Sequence, residues 1–258
     1  MIYHGTLWWT NMESDLLQLK LSEGDFVDQW IISQATTTFR GHRRTICYPD
    51  LPSNKITHRV VDTSQIRGQR IQRCRRRNAL QRNALLEGLH LEDDDIFIFS
   101  DLDEIIRKKD RDIVVNETEK HGFVFFSMRY YFIKINLIGP KRWIGPFAAT
   151  GKFLREHPGY TVNKLRVQRK RAVKGFTKHI PIIGQHFSWL CPWDDDRLIK
   201  MKNRNNSWER GKWNQDRLIG PKGTPLTPVP VDHTFPETIR ANPRIWDKYT
   251  YEAIQGTC

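Results

Sequence analysis

The amino-acid sequence predicts an α/β fold: one domain in which a mixed, mainly parallel sheet is flanked by helices. Short apolar runs rich in branched and aromatic side chains are typical of buried strands, and helical segments lie between them. A helix that leads into an apolar strand, repeated along the chain, favours parallel strands with covering helices. A length of 258 residues is sufficient for one large domain of this kind.

Five segments have the composition of strands, and two have helical periodicity. The strand segments are 26–33, 56–61, 95–100, 122–135 and 180–189, the last interrupted by Gly184. The helical segments are 13–21, where leucines follow an acidic first turn, and 71–89, where three leucines share one face and Gly88 lies near the end. The alternation of the two kinds of segment is what favours a sheet with covering helices.

The composition changes at Gly220, after which six prolines occur at positions 221, 225, 228, 230, 236 and 243. Proline at this density predicts irregular structure, here with one short closing helix near 244–254. The sequence therefore predicts a main domain over 1–219 and a Pro-rich C-terminal extension over 220–258 that packs on it.

Charge and hydropathy limit the classes of partner. The 42 Lys and Arg outnumber the 29 Asp and Glu, which gives a net charge of +13 and an attraction to polyanions. Nucleic acid, a membrane surface and a nucleotide diphosphate all fit that charge. No apolar run approaches the roughly 18 residues of a membrane span, and the start has no signal-peptide pattern. The four cysteines lack zinc-site spacing, so we expect a cytoplasmic protein with free thiols.

The most informative stretch is 93–104, in which an unbroken apolar run ends abruptly in Asp101, Asp103 and Glu104. Ligands of open α/β sheets collect at the carboxyl ends of strands. Residues i and i+2 of an extended chain point the same way, so Asp101 and Asp103 could offer two carboxylates to one site. Such a pair suits Mn²⁺ or Mg²⁺, which bind carboxylates and substrate phosphates. The alternative is a solvated acidic turn that ends a strand.

A basic segment and a histidine carry further hypotheses. Segment 67–82 contains seven arginines. Three interpretations fit it: a nucleic-acid-binding helix, a solvated helix face, or the phosphate-facing wall of a nucleotide site. It has no aromatic residue for base stacking, which weakens the first alternative. His186 follows an apolar run and precedes Asp194, Asp195 and Asp196. His186 is thus a candidate metal ligand and one of these carboxylates a candidate general base; a solvated acidic loop is the alternative.

Several of these blocks, in this order, resemble glycosyltransferase family 17, the family of the β-1,4-mannosyl-glycoprotein 4-β-N-acetylglucosaminyltransferase. The similar blocks are Asn11-x-Glu13-x-Asp15-Leu16-Leu17, Val27-Asp28, Thr38 with Gly41, Gln81-Arg82, Gly88-Leu89, Asp94-Asp95-Ile96, Asp101-x-Asp103-Glu104-Ile105, His186-x-Ser188-Trp189 and Lys200. The resemblance covers roughly residues 5 to 205. Two positions depart from it: Gln34 stands where the family commonly has Glu, and Ile106 and Arg107 follow where a Pro is expected.

The resemblance implies a GT-A-type fold and an inverting, metal-dependent enzyme that moves a sugar from a UDP-sugar, GlcNAc-like, to a hydroxyl of a glycan or glycoprotein acceptor. It implies Mn²⁺ or Mg²⁺ as cofactor and assigns roles to eight residues. The metal ligands are Asp101, Asp103 and His186, the catalytic base is Asp194, and the donor-binding residues are Arg82, Glu104, Lys200 and Glu13.

Three alternatives stay open. The same fold could use UDP-xylose or UDP-glucose as donor, or bind sugars without catalysis. The chain could instead be a basic nucleic-acid-binding protein, although we expect no nucleic-acid partner and no membrane span. Since the chain shows no anchor, we expect a microbial or viral enzyme of the cytoplasm, which would be the host cytoplasm for a virus.

Overall fold

A computed structural model describes residues 1–9, 13–38, 41–48, 53–67, 69–169, 178–181, 183–188, 190 and 225–251. Its strands are β1 (Ile2–Leu7), β2 (Gln29–Ala35), β3 (Ile56–Val61), β4 (Ile96–Phe99), β5 (Glu104–Ile105), β6 (Phe123–Phe132), β7 (Leu137–Ile138), β8 (Trp143–Thr150), β9 (Lys178–Ile180), β10 (Gln185–Ser188) and β11 (Thr227–Pro228). Its α-helices are α1 (Ser14–Glu23), α2 (Arg70–Asn83), α3 (Arg111–His121), α4 (Gly151–Glu156), α5 (Val162–Gln168), α6 (Glu237–Ala241) and α7 (Pro243–Trp246). Short 3₁₀ turns cover 53–55, 108–110 and 247–249.

The strands form one mixed sheet with the order β11-β7-β6-β8-β4-β1-β2-β3. Strands β3, β2, β1 and β4 pair in parallel, whereas β8 runs antiparallel between β4 and β6. Strand β10 adds to β6 in parallel and holds the two-residue strand β5 on its other edge. Helix α2 packs on β1 and β2, and α3 packs on β4, β6 and β8. The expected mixed sheet flanked by helices is confirmed.

The order of the parallel strands fixes where a ligand can bind. The chain goes from β1 through α1 to β2 on one side, and then returns from β3 through α2 to β4 on the other side of β1. The direction of winding thus reverses between β1 and β4. Open α/β sheets bind ligands in the crevice outside the carboxyl ends of the strands at such a switch point. Here those ends are Leu7 of β1 and Phe99 of β4.

The central strands are buried because both faces of the sheet are covered. All four residues of β4 are buried, as expected of an apolar run without alternation. Strand β1 contains His4, Gly5 and Thr6 and is nevertheless buried over most of its length. Because these three residues interrupt the apolar pattern, β1 was not among the strands predicted from sequence.

The predicted elements agree with the structure in their cores and differ at their ends. The segment 56–61 is β3 without change, and 95–100 and 122–135 contain β4 and β6. The helix expected over 71–89 ends at Asn83, because turns occupy 84–88 and Gly88 adopts a φ of +68°. Gly184, with a φ of +79°, separates β9 from β10; a Cβ there would collide with the carbonyl of Ile105.

The C-terminal segment 225–251 packs against the main domain. Phe235, Ile239, Trp246 and Tyr249 share one hydrophobic cluster with side chains of α1 and with Trp8. The closing helix expected near 244–254 corresponds to α6, α7 and a 3₁₀ turn that together span 237–249. The predicted boundary at 219/220 lies outside the described residues. Within the described ranges, no helix has the length and apolarity needed to cross a bilayer.

Candidate functional site

The acidic residues after β4 form a tight turn at the switch point. The backbone N–H of Glu104 donates to the carbonyl of Asp101 at 3.0 Å, and the N–H of Asp101 donates to Oε2 of Glu104 at 2.8 Å. Because the chain turns here, the alternation of an extended strand does not set the directions of Asp101 and Asp103. The two carboxylates contact different partners.

Asp101 is held by two arginines that are distant in sequence. Nη2 of Arg82, in the last turn of α2, lies 3.2 Å from both carboxylate oxygens of Asp101. Nη2 of Arg166, in α5, donates to Oδ2 of Asp101 at 2.7 Å. Burial alone would raise the pKa of Asp101, but the charges of Arg82 and Arg166 outweigh it and hold that pKa well below its ordinary value. Asp101 is therefore ionised at neutral pH.

Glu104 lies beneath this pair and is fully buried. Its Oε1 accepts hydrogen bonds from Arg166 and from the indole N–H of Trp143. Although burial alone would lower the pKa of Arg166, the carboxylates of Glu104 and Asp101 raise it. The backbone comes close here: a Cβ added at Gly145 would collide with the side chains of Glu104, Trp143 and Arg166. Glu104 thus fixes Arg166 in place, and its burial keeps it out of direct contact with a ligand.

A buried lysine supports the turn from inside the protein. Lys20, in α1, is 2% exposed and donates to Oγ of Ser100 at 2.5 Å and to the carbonyls of Asp101 and Glu104 at 3.0 and 2.6 Å. Burial lowers the pKa of Lys20 to about 8, so its ammonium is still protonated at neutral pH. Ser100 in turn lies 2.7 Å from Nε2 of His4, whose ring stacks on Trp30.

Asp103 is paired with His186, the residue expected to share its metal ion. Nε2 of His186 lies 3.2 Å from Oδ2 of Asp103, and the N–H of Phe187 donates to the carbonyl of Asp103 at 2.7 Å. The antiparallel pairing of β5 with β10 brings Asp103 and His186 together, because it places Glu104, the residue after Asp103, opposite His186. The rings of Trp143 and Tyr130 pack on the imidazole, with centroids at 4.3 and 5.2 Å.

The donor set fits a divalent cation in part. Asp103 and His186 are adjacent, as two ligands of one ion must be, and the carboxylate suits Mn²⁺ or Mg²⁺. The third expected ligand, Asp101, has both oxygens engaged by arginines. Among the described residues, no group of three or more His, Cys, Asp or Glu side chains is arranged to hold a metal ion. The geometry therefore favours Asp103 and His186 over Asp101 as direct ligands.

Two further positions singled out by the sequence are Glu13 and Gln34. Glu13 precedes α1 and interacts electrostatically with Arg44, whose guanidinium lies 5.1 Å from the ring centre of Trp9. Burial lowers the pKa of Arg44 to about 10 while Glu13 opposes the shift. Gln34 is fully buried and accepts from the N–H of Cys47 at 3.1 Å, which gives it a structural use in place of an acidic one.

Two predicted site residues, Asp194 and Lys200, lie in 191–224, outside the described part of the chain. Three residues of the site, by contrast, were not found from sequence: Lys20, Trp143 and Arg166. Each is far along the chain from the acidic turn, and no local motif marks it.

A family model of glycosyltransferase family 17 matches residues 6–145, just over half of the chain. The chain belongs to glycosyltransferase family 17. The matched range includes α1, the switch point, Arg82 and the acidic turn, so the residues that build most of this site lie within the family's own region. Being a member of that family, the protein is a glycosyltransferase. No curated protein matches the chain.

Solved structures are similar to this chain at low sequence identity and with TM-scores below 0.5. A homologue of Mycobacterium tuberculosis rv0371c from Mycobacterium sp. strain JC1 is 13% identical and has a TM-score of 0.44, with 80% of this chain and 98% of that one covered. The 2-C-methyl-D-erythritol 4-phosphate cytidylyltransferase of Thermus thermophilus is 12% identical with a TM-score of 0.44, covering 80% and 99%. Residues 1–349 of S. aureus TarS are 11% identical with a TM-score of 0.42, covering 72% and 60%.

Proposed function

We propose that this glycosyltransferase moves a sugar from a UDP-sugar to a hydroxyl of a glycan or glycoprotein, with inversion at the anomeric carbon, and that the acidic turn after β4 is its donor site. One observation carries the proposal. A turn with two partly exposed carboxylates stands at the carboxyl end of β4, beside the switch point of the parallel strands, and faces His186 on one side and arginines on the other. Nucleotide ligands of open α/β sheets bind at such points.

Asp103 and His186 are the residues that would hold Mn²⁺ or Mg²⁺, with Asp101 beside them. The cation supplies positive charge against the leaving diphosphate. Arg82 lies at the same edge and brings a fixed guanidinium to the donor side. Glu104, being buried, acts on the donor only through Arg166, which it positions. As the bond between sugar and diphosphate breaks, negative charge grows on the diphosphate. Positively charged groups that are already in position stabilise this charge in the transition state.

The acceptor hydroxyl must lose a proton as it attacks, and we assign that proton to Asp194, which follows the His186-x-Ser188-Trp189 block in sequence. Lys200 and Glu13 remain proposed donor-side residues. The donor is GlcNAc-like by family resemblance, with UDP-xylose and UDP-glucose as the alternatives. A location in the cytoplasm remains a proposal as well.

The arrangement of α2 supports this function over nucleic-acid binding. Arg77 is 3% exposed and its guanidinium faces the carbonyls of Thr63 and Ile66, at 3.4 and 3.3 Å. Arg82 is committed to Asp101. Two arginines of the basic segment thus serve the fold or the donor side instead of forming a continuous exposed basic face.

The test is a screen of UDP-GlcNAc, UDP-xylose and UDP-glucose for UDP release in the presence and absence of Mn²⁺. We expect release from at least one donor, dependent on the metal. Asp101→Asn and Asp103→Asn should each lower it by roughly 10²-fold or more, since mutations that remove transition-state charge stabilisation typically cost that much. The matched control is Asp112→Asn, an exposed carboxylate of α3 whose side chain is 79% accessible. Failure of wild type to release UDP from any donor contradicts the proposal.

A further inference from the structure

Three guanidinium groups converge beside the acidic turn, and one of them has no assigned use. Arg82 and Arg166 bind Asp101, as described above. Arg169 follows the last turn of α5, and its guanidinium lies 4.3 Å from the ring centre of Trp143. The guanidinium of Arg166 lies 5.6 Å from the centre of the same ring. Two like charges are thus held against one indole.

The charge of this cluster is not balanced among the described residues. Three arginines, Arg82, Arg166 and Arg169, face two carboxylates, Asp101 and Glu104. Within the described part of the chain, Arg169 has no carboxylate within 4.0 Å, and burial together with the charge of Arg166 lowers its pKa to about 10. An anion bound here would remove the repulsion between Arg166 and Arg169.

The surroundings indicate what kind of anion fits. Arg166 is 2% exposed: its Nη2 donates to both carboxylates and its guanidinium packs on the rings of Phe99 and Trp143, so a ligand from outside does not reach it directly. Arg169 is partly exposed, and no carboxylate of the described residues pairs with its planar fork of N–H donors. Guanidinium forks match the paired oxygens of phosphates. The position, at the carboxyl edge of β4, is the edge that the donor is proposed to occupy.

We propose that Arg169 binds the diphosphate of the donor and of the leaving UDP directly, with Arg82 beside it and Arg166 as the positioning residue beneath. This inference rests on the proposed function. It implies that a substantial part of diphosphate binding does not depend on the divalent cation. Arg169 then keeps contact with the leaving group as its charge grows, and the cation is not the only group that neutralises it.

The experiment is isothermal calorimetry of UDP, and separately of inorganic pyrophosphate, in the presence of EDTA. Wild type is expected to bind both. Arg169→Gln should weaken both by roughly 10- to 100-fold, which corresponds to losing a charge-assisted hydrogen bond. Arg155→Gln is the matched control, because that arginine is exposed, lies in the last turn of the short helix α4, and pairs with Asp93 and a backbone carbonyl at the surface. It should bind as wild type does.

Arg169 also lies at the C-terminal end of α5, where the helix dipole stabilises any cation. Arg169→Lys separates the two roles, since it keeps the charge and loses the fork. We expect an unchanged melting temperature and UDP binding several-fold weaker than wild type in EDTA. Wild-type affinity in both Arg169 variants overturns the inference, as does a wild type that binds neither anion without metal.

The outcome is separable from that of the proposed function. If pyrophosphate binds through Arg169 but no UDP-sugar is consumed, the anion site stands and sugar transfer fails. If UDP-sugars are consumed and Arg169→Gln binds UDP in EDTA as wild type does, transfer stands and the anion site is wrong.

Discussion

Replacing Lys20 by Met removes the support of the acidic turn while keeping the size and apolar stem of the side chain. The ammonium donates to Ser100 and to the carbonyls of Asp101 and Glu104. A buried acceptor that loses its donor costs about 1–3 kcal/mol, so the two carbonyls together cost about 2–6 kcal/mol. The lysine is itself buried at a cost: its pKa falls from 10.5 to about 8, which corresponds to about 3 kcal/mol for keeping it charged.

These two effects oppose each other, so Lys20→Met should change the free energy of unfolding by no more than about 3 kcal/mol. Its turnover should fall even where the stability changes little. The turn carries Asp101 and Asp103, and a displacement of about 1 Å at a reacting centre can cost about 10²-fold in rate. Urea unfolding gives the stability and UDP release gives the rate; Lys152→Met, an exposed lysine of α4, is the control. A folded Lys20→Met variant with wild-type turnover would refute the positioning argument.

The remaining predictions concern the metal, the base, acid stability and nucleic acid. Asp103→Asn should weaken Mn²⁺-dependent UDP binding in calorimetry without lowering the melting temperature, and equal binding would exclude Asp103 as a ligand. Asp194→Asn should lower turnover by about 10²–10⁴-fold and leave UDP binding intact; near-normal turnover would move the base elsewhere. Burial holds the pKa of His4 well below 6.5 in the folded protein, so the unfolded chain takes up a proton first as the pH falls. Relative to His4→Gln, the free energy of unfolding of wild type should therefore fall by about 1.4 kcal/mol per pH unit below 6.5. The exposed residue His42 is the control, and His42→Gln should follow wild type. Parallel curves of unfolding free energy against pH for all three proteins would contradict this. Finally, the basic segment 67–82 should give no micromolar, salt-sensitive binding to duplex DNA at physiological salt, and such binding in a fluorescence titration would count against the account.

The acidic turn was predictable from sequence because an apolar run that stops at charged residues marks the end of a buried strand. The partners of its carboxylates were not. Arg166 is 65 residues from Asp101 in the chain, and only the packing of α5 beside α2 and β8 brings it there. Asp101 and Asp103 were expected to point the same way, as in an extended chain. That expectation was wrong for a local reason: the hydrogen bond from the N–H of Glu104 to the carbonyl of Asp101 closes a turn that the sequence does not predict.

Burial of polar residues explains most of what sequence reasoning missed. Lys20 lies in a helix whose leucines were recognised, yet a lysine in such a helix is ordinarily solvated, and nothing adjacent marks it as buried. Strand β1 was missed because His4 and Thr6 break its apolar pattern, although both are buried. In both places the buried polar group lies close to the acidic turn or to the side chains that support it. Functional sites are where folded proteins most often depart from simple hydrophobic patterning.

A crystal structure with UDP and Mn²⁺ tests the central claim most directly, since the manganese gives an anomalous signal that locates it independently. The account predicts the manganese at Asp103 and His186 and the diphosphate between that ion and Arg169, at the carboxyl ends of β1 and β4. Density for UDP along the exposed arginines of α2, or a manganese remote from Asp103, would contradict it.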